Sequence, residues 1–231
     1  MFGGHGAPTW ESIPRAIGVL RLRLFLLRHG ESVTNVQRVF ATRKLDPLLS
    51  EAGLQQAELQ AEALAKVGLA AIYASTLRRA RQTAEIVGRQ CGLSVRHTDL
   101  LREVHVGIVD GLSIEDPVNR RVYDDTVMGW GQDRLEVGFP DGETLGDVER
   151  RFRAFLNGLG AAEDPILVVG HGVLFMAIVW LFCDDRHPQI EDNYMGRGHV
   201  SILRGQGDRF RLEAFNVSPE DALRGALLPT E

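Results

Sequence analysis

Short apolar runs alternate with amphipathic segments along most of the chain, and this alternation predicts strands that alternate with helices. Residues 22–27 (LRLFLL) have the composition of a short central strand. In residues 49–67, apolar side chains recur at three- and four-residue spacings, which predicts a helix with Ser50 as N-cap and Gly68 as stop. Further strands are predicted at 69–75, 93–98, 164–172, 199–205 and 209–216, and further helices at 76–92, 145–160 and 173–183.

This order of elements predicts an α/β fold. Strands that alternate with helices favour a largely parallel sheet covered by helices on both faces, because each crossover returns the chain over one face. The last two strands are close enough in sequence to form a closing pair. We therefore expect a three-layer sandwich with a mostly parallel central sheet.

The same pattern suggests how the chain is divided. Residues 1–20 contain glycine and proline without any period and are predicted to be a loose N-terminal extension. Residues 21–217 form the predicted domain, and residues 218–231 a C-terminal tail. The pattern degrades into glycines, acids and isolated aromatics at about 107–143, which predicts an irregular or helical insertion that caps the site.

Composition narrows the class of protein. The chain has 231 residues and a formal net charge of −5, so nothing global suggests binding to nucleic acid or to a membrane surface. The apolar run Val173–Cys183 is about half of a membrane span and reads as a buried helix. The sequence has only two cysteines, Cys91 and Cys183, which are too few for a disulfide framework. The first residues also lack the pattern of a signal peptide, so we expect a cytoplasmic protein.

Several motifs of other protein classes are missing. The sequence contains no His-Glu-x-x-His and no phosphate-binding loop ending in Gly-Lys-Ser/Thr. We therefore expect no metal and no cofactor.

Chemically active side chains follow the predicted strands at the point where each one ends. Arg28 and His29 follow the first strand, Arg79 begins the helix after the second, Glu103 follows the third, and His171 follows a fourth. In an open α/β sheet, ligands bind beyond the carboxyl ends of the strands. The sequence thus predicts a site that combines arginines, histidines and one carboxylate.

This combination suits a phosphoryl group. Guanidinium forks match the geometry of its oxygens, and a neutral imidazole is a competent nucleophile near pH 7. A carboxylic acid could protonate the leaving oxygen and later activate water. A helix N-terminus beside the second histidine would add positive potential.

Four motifs in order resemble those of the histidine phosphatase superfamily, whose members have a phosphoglycerate-mutase-like fold. The motifs are LRHGESVTN at 27–35, STLRRARQTA at 75–84, LREVHVGIVDG at 101–111 and VVGHGV at 168–173. The turn FPDGET at 139–144 is similar to the family's Gly-Glu-Ser/Thr turn. The resemblance spans roughly residues 22 to 217.

The resemblance implies a role for each matched residue. His29 would be the nucleophile, Glu103 the proton donor, and Arg28, Arg79 and His171 the phosphate pocket. Asn35, Thr42 and Gly172 are candidate substrate-binding residues. This sequence departs from the family pattern at three positions. It has Thr76 where the family usually has proline, Val109 where an aromatic residue is common, and Gly170 where serine is frequent.

These observations predict a phosphomonoester hydrolase of the histidine acid/base type. It would act without a metal, through a phosphohistidine, on a small phosphorylated metabolite. Two alternatives stay open: a cofactor-dependent phosphoglycerate-type mutase and a non-catalytic protein that binds a phosphorylated ligand. Glu103 and His171 lie 68 positions apart, which resembles the phosphatase branch because the mutases carry a longer insertion there. A homodimer is left open. Candidate contacts from the cap are Arg120, Arg121, Trp130 and Arg134.

Overall fold

The computed structural model describes residues 21–159 and 164–221. The predicted N-terminal extension and residues 222–231 of the predicted tail lie outside this range. The strands are β1 (Arg21–Arg28), β2 (Ala71–Ser75), β3 (Val95–Thr98), β4 (Ile166–Gly170), β5 (Val200–Gln206) and β6 (Arg209–Val217). The helices are α1 (Val33–Val36), α2 (Glu51–Leu64), α3 (Arg78–Cys91), α4 (Pro117–Trp130), α5 (Leu145–Asn157) and α6 (Gly172–Phe182).

The six strands form one sheet in the order β3-β2-β4-β1-β5-β6. The pairs β3–β2, β2–β4 and β4–β1 are parallel, and the pairs β1–β5 and β5–β6 are antiparallel. The predicted mostly parallel sheet and its closing pair of strands are therefore confirmed, and the structure shows that this closing pair is antiparallel.

Both faces of the sheet are covered, so alternate residues of a strand enter different cores. In β1, Leu24 and Leu26 pack into a cluster that contains residues of α5 and α6. Phe25 and Leu27 pack into a second cluster with residues of α2 and α3. All four side chains are fully buried. This explains why β1 reads as a continuous apolar run rather than an alternating one.

The helix boundaries follow local capping rules. Ser50 is the N-cap of α2, and its hydroxyl accepts the N–H of Gly53 at 3.1 Å, as the sequence predicts. Thr144 begins α5 with a capping box that includes Asp147. Helix α3 ends at Gly92, whose φ of 67° is the left-handed conformation that glycine adopts without strain.

Helix α6 is apolar around its whole circumference, and almost every residue in it is buried. It packs in one hydrophobic cluster with residues of β1, β4 and α5, which accounts for the longest apolar run in the sequence. Within the described part of the chain, no helix has the length and apolar character needed to cross a bilayer.

The predicted insertion contains one well-formed helix, α4. Asp116 is its N-cap and accepts the N–H groups of Val118 and Asn119, and Pro117 occupies the first helical position. Trp130, at its end, is fully buried and donates its indole N–H to the carbonyl of Val137 at 2.9 Å. The expectation that Trp130 contacts substrate is therefore wrong, because its indole belongs to the core.

Candidate active site

Three adjacent strand ends bring the predicted histidines and arginines together. β1 ends at Arg28 and β4 ends at Gly170, and these two residues are register partners in the parallel pair. The backbone N–H of His29 donates to the carbonyl of Gly170 at 3.1 Å, which fixes the chain as it leaves the sheet. The ring centroids of His29 and His171 are consequently 5.1 Å apart.

The hydrogen bonds of His29 define its tautomer. Its Nδ1 lies 2.6 Å from the carbonyl oxygen of Gly30. Because a carbonyl only accepts, Nδ1 must carry the proton, and Nε2 holds the lone pair of the neutral ring. Nε of Arg79 donates to Nε2 at 3.0 Å. The lone pair of Nε2 is therefore directed at the guanidinium of Arg79. The positive charge of this guanidinium would attract an anion to the space beside Nε2.

Both histidines are held neutral. Burial lowers the pKa of His29 well below its ordinary 6.5, and the charges of Arg79 and Arg28 lower it further. Burial likewise lowers the pKa of His171 well below 6.5, followed by the charge of Arg79 and the neighbouring His29. Each imidazole is therefore in its neutral form, with a single N–H, near pH 7.

Two buried arginines supply fixed positive charge. Arg79 is only 3% exposed and donates from Nη2 to the carbonyl of Ala41 at 2.9 Å. Burial lowers its pKa to about 10, so it remains a cation at neutral pH. Arg28 donates from Nη1 to the carbonyl of Met195 at 2.6 Å, and its Cζ lies 4.7 Å from the ring centroid of Tyr194.

Three buried nitrogen atoms at this site have no hydrogen-bond partner among residues 21–159 and 164–221. They are Nε of Arg28, Nη1 of Arg79 and Nδ1 of His171. A buried donor without a partner is costly, and a bound ligand rich in acceptors would satisfy it. A tetrahedral oxyanion has the required acceptors.

Glu103 is held at the N-terminus of α6. Its Oε1 accepts the N–H groups of Leu174 at 2.8 Å and Val104 at 2.9 Å, and its Oε2 accepts that of Val173 at 3.3 Å. The carboxyl group lines the same cavity as His29, Arg28 and Arg79. The structure therefore brings the predicted acid to the predicted nucleophile.

The candidate substrate-binding residues have different surroundings. Thr42 is buried and lines the cavity. Asn35 also lines it, while its Oδ1 accepts the backbone N–H of Ser32 at 3.1 Å and so acts as part of a helix cap. Gly172 lies behind the cavity wall, where a Cβ would come within 2.7 Å of the Tyr194 hydroxyl and 2.9 Å of Arg28 Cζ. Its role is to let Tyr194 and Arg28 approach the chain.

The cavity itself has a volume of about 660 Å³. Of the candidate cap contacts, Arg120 lines it, whereas Arg121 and Arg134 are exposed elsewhere on the surface. Tyr123 and Tyr194 also line the cavity and were missed by sequence reasoning. Both are isolated aromatic residues in segments without a motif, so nothing in the sequence distinguishes them from core residues.

Another missed residue is Asp110, which is fully buried and holds the loop that contains Thr42. Its carboxylate accepts three consecutive backbone N–H groups, those of Thr42, Arg43 and Lys44, at 2.8 to 2.9 Å. Burial raises the pKa of Asp110, but these three donors outweigh it, so the pKa lies below its ordinary value. The Asp-Gly pair at 110–111, inside a predicted motif, was the available signal.

The departures from the family pattern have local explanations. A Cβ at Gly170 would come within 2.7 Å of the Phe175 ring, so the neighbouring aromatic residue requires glycine there. The hydroxyl of Thr76 donates to Asp99 and accepts from Arg102. Val109 is a core residue with 1% exposure.

Among the described residues, His, Cys, Asp and Glu side chains form no group of three or more that could hold a metal ion.

Comparison with known proteins identifies a matching family, a relative in sequence and similar solved structures. Residues 24–218 match the histidine phosphatase superfamily, branch 1. A protein named "Probable phosphoglycerate mutase GpmB" from Yersinia enterocolitica is 34% identical over 157 residues, which cover 66% of this chain and 70% of that protein. A solved structure of mycobacterial glucosyl-3-phosphoglycerate phosphatase with VO3 is 31% identical, with a TM-score of 0.71 over 85% of this chain and 99% of that chain. The alpha-ribazole phosphatase of Shigella flexneri, at 24% identity and a TM-score of 0.66 over 84% of this chain and 96% of that chain, shares the fold.

Proposed function

The chain belongs to branch 1 of the histidine phosphatase superfamily, and we propose that it hydrolyses phosphomonoesters through a phosphohistidine formed on Nε2 of His29. The observation that carries the proposal is the unprotonated Nε2 beside three buried nitrogen atoms that lack a partner. A binding site alone would need the cationic groups but no nucleophile. This argues against a protein that only binds a phosphorylated ligand.

The first step transfers the phosphoryl group to the enzyme. Nε2 of His29 attacks phosphorus and forms the P–N bond as the P–O bond to the alcohol breaks. Glu103 donates its proton to the departing oxygen, so the alcohol leaves neutral. Arg28, Arg79 and His171 stabilise the charge on the phosphoryl oxygens in the transition state.

The second step returns the enzyme to its starting state. The Glu103 carboxylate takes a proton from water, whose oxygen attacks phosphorus as the P–N bond breaks. Inorganic phosphate leaves, Nε2 regains its lone pair, and Glu103 is again protonated for the next cycle. Atoms and charge balance without any group beyond those described.

The main competing function is that of a mutase, in which the phosphoryl group returns to an alcohol instead of water. The Yersinia relative carries a mutase name, while the mycobacterial structure carries a phosphatase name. The interval of 68 positions between Glu103 and His171 supports hydrolysis.

The proposal includes a cytoplasmic location, which the two free thiols support.

The test is rapid-quench labelling with a ³²P-phosphomonoester. We expect an acid-labile, base-stable phosphoenzyme in the wild type, with all released label in inorganic phosphate. His29→Ala should form none and lose more than nine-tenths of its turnover. His97→Ala, on β3 outside the cavity, is the matched control and should behave as wild type. Substantial activity in His29→Ala would refute the covalent route, and label recovered in an added alcohol would indicate a mutase.

A further inference from the structure

The cavity extends well beyond the strand ends that hold the phosphoryl group. Its volume of about 660 Å³ falls within the range of about 300 to 1,000 Å³ that is typical of sites for small organic ligands. The remainder, here termed the distal pocket, is lined by Val39, Phe40, Ile114, Tyr123, Val127 and Met128. The alcohol portion of a substrate bound at His29 has to occupy this space.

One face of α4 forms much of this pocket. Five of its residues line the cavity at positions 120, 123, 124, 127 and 128, which is the spacing of a single helical face. Tyr123 stacks at a centroid distance of 5.7 Å on Phe40, which also lines the cavity. The wall made in this way is mainly hydrocarbon and aromatic.

The charge of the distal pocket is unfavourable for an anion. Apart from the groups at the strand ends, the charged side chains that line the cavity are Arg120, Asp124 and Glu191. Nε of Arg120 donates to both carboxylate oxygens of Asp124, at 2.8 and 2.9 Å, so this cation is already neutralised. Glu191 has no ion-pair partner within the described residues. The sum of these charges is negative.

A substrate with a second phosphate or a carboxylate needs a cation to receive it. Proteins usually supply an arginine or lysine that pairs with such a group. Here the anionic group would meet two carboxylates and one arginine that is already occupied. It would be repelled or left without a partner in a largely apolar pocket.

We propose that the protein selects phosphomonoesters whose alcohol is uncharged and largely apolar, and that it discriminates against esters with a second anionic group. This inference depends on the proposed function, because that function places the phosphoryl group at His29. Tyr123 and Tyr194 line the same cavity, and their hydroxyl groups make no hydrogen bond with another described residue. They remain available to an ether or hydroxyl oxygen of the alcohol.

The test compares esters that differ only in the distal group. Propyl phosphate, hexyl phosphate and the six-carbon ester that ends in a carboxylate have similar primary-alcohol leaving groups, so the chemical step is held nearly constant. We expect kcat/KM to rise roughly fourfold for each methylene that enters the pocket. The terminal carboxylate should lower kcat/KM at least tenfold relative to hexyl phosphate. Equal or faster turnover of the carboxylate ester would overturn the proposal.

Binding of phosphonates separates this inference from the proposed function. Hexylphosphonate should bind more tightly than methylphosphonate and more tightly than 5-carboxypentylphosphonate, as measured by calorimetry. If these preferences are observed but no ester is hydrolysed, the distal pocket is assigned correctly and hydrolysis is refuted. If hydrolysis occurs without the preferences, the assignment of the pocket is refuted.

A matched pair of variants tests the role of charge. Asp124→Asn frees Arg120 and should raise the ratio of kcat/KM for the carboxylate ester over hexyl phosphate about tenfold. Asp125→Asn makes the same change of charge one residue away, on an exposed side chain that does not line the cavity, and should leave the ratio unchanged. Equal effects of the two variants would attribute the selectivity to general surface charge and overturn the proposal.

Discussion

Nε2 of His171 lies 2.8 Å from the hydroxyl oxygen of Ser75, and both side chains are fully buried. The same hydroxyl oxygen accepts the backbone N–H of Leu77 at 3.2 Å, so its own proton needs an acceptor. Donation to Nε2 satisfies the Ser75 proton and the Nε2 lone pair, and it places the His171 proton on Nδ1, one of the buried nitrogen atoms without a partner. In the proposed reaction, Ser75 would thus position His171 as a neutral donor toward a phosphoryl oxygen.

Replacement of Ser75 should therefore change the tautomer of His171. We expect Ser75→Ala to lower kcat/KM about ten- to a hundredfold and to shift the His171 ¹⁵N resonances toward a mixture of tautomers. Ser201→Ala is the matched control, since Ser201 is equally buried in β5 and accepts the N–H of Asn216. Both variants should lose about 1 kcal/mol of stability. A similar loss of activity in the control would indicate a purely structural role for Ser75.

The proposed roles of Glu103 and Arg79 differ in their dependence on the leaving group. Glu103→Gln should lose most turnover on alkyl phosphates, about 10²- to 10⁴-fold, because the alkoxide needs a proton. It should lose much less on p-nitrophenyl phosphate, whose phenolate leaves without one. Arg79→Ala removes charge stabilisation and should slow both substrates by similar factors.

This contrast is measured as kcat for each substrate, with burst kinetics to show which step limits the rate. Equal losses on both substrates for Glu103→Gln, with dephosphorylation shown not to limit turnover, would place the acid elsewhere.

Low pH should destabilise the protein through its buried histidines. The folded-state pKa of His29 and that of His171 lie well below 6.5, the value expected in the unfolded chain. The unfolded state therefore binds more protons as the pH falls below 6.5, and the free energy of unfolding decreases by up to about 1.4 kcal/mol per pH unit for each histidine. Above pH 6.5 this contribution to stability is fully present.

Urea unfolding at a series of pH values between 5 and 7.5 checks this expectation. The decline below pH 6.5 should be shallower in His29→Asn than in the wild type. A parallel decline in both proteins would show that His29 is protonated equally in the folded and unfolded states.

Asp110 should control the loop that carries Thr42. Asp110→Asn keeps the shape of the side chain but places an amide N–H₂ against backbone donors, at a cost of about 1–3 kcal/mol for each group left unsatisfied. We expect faster cleavage by trypsin after Arg43 and Lys44 and a lower kcat/KM, because Ala41 in this loop accepts a hydrogen bond from Arg79. Asp116→Asn alters the cap of α4 instead and should leave the rate of cleavage at this loop unchanged. Unchanged cleavage in Asp110→Asn would refute this role.

Chelation should leave the activity intact. The proposal assigns the phosphoryl charge to Arg28, Arg79 and His171, which would replace the cation that metal-dependent phosphatases use. Turnover of p-nitrophenyl phosphate should therefore be the same before and after dialysis against EDTA, with a magnesium-dependent phosphatase as the control. Loss on chelation, restored by a divalent ion, would contradict the assignment.

Much of the site could be predicted because parallel strands end at one edge of the sheet. Arg28 ends β1, and His29 and His171 directly follow β1 and β4, so their place at this edge follows from the parallel sheet that the alternating pattern predicts, whereas the adjacency of β1 and β4 comes from the structure. The distal pocket could not be predicted in the same way. Its residues come from loops and from α4, and a lone apolar or aromatic residue in such a segment reads as core whether or not it lines a cavity.

Trp130 and Tyr194 show the limits of composition as a guide. Both are large aromatic residues in segments without a motif, yet Trp130 is fully buried and Tyr194 is 39% exposed beside Arg28. The difference depends on the direction of each side chain relative to neighbouring elements. That direction is set by tertiary packing and has no local signal in the sequence.

The placement of five cavity residues on one face of α4 has a consequence for how such a protein diversifies. The groups assigned to phosphoryl transfer lie at the sheet edge, whereas positions 120, 123, 124, 127 and 128 belong to a helix outside the sheet. Substitutions at these positions alter what surrounds the alcohol without moving the histidines or arginines. New substrate preferences can therefore accumulate by point mutation on a single helix while the reaction is inherited unchanged.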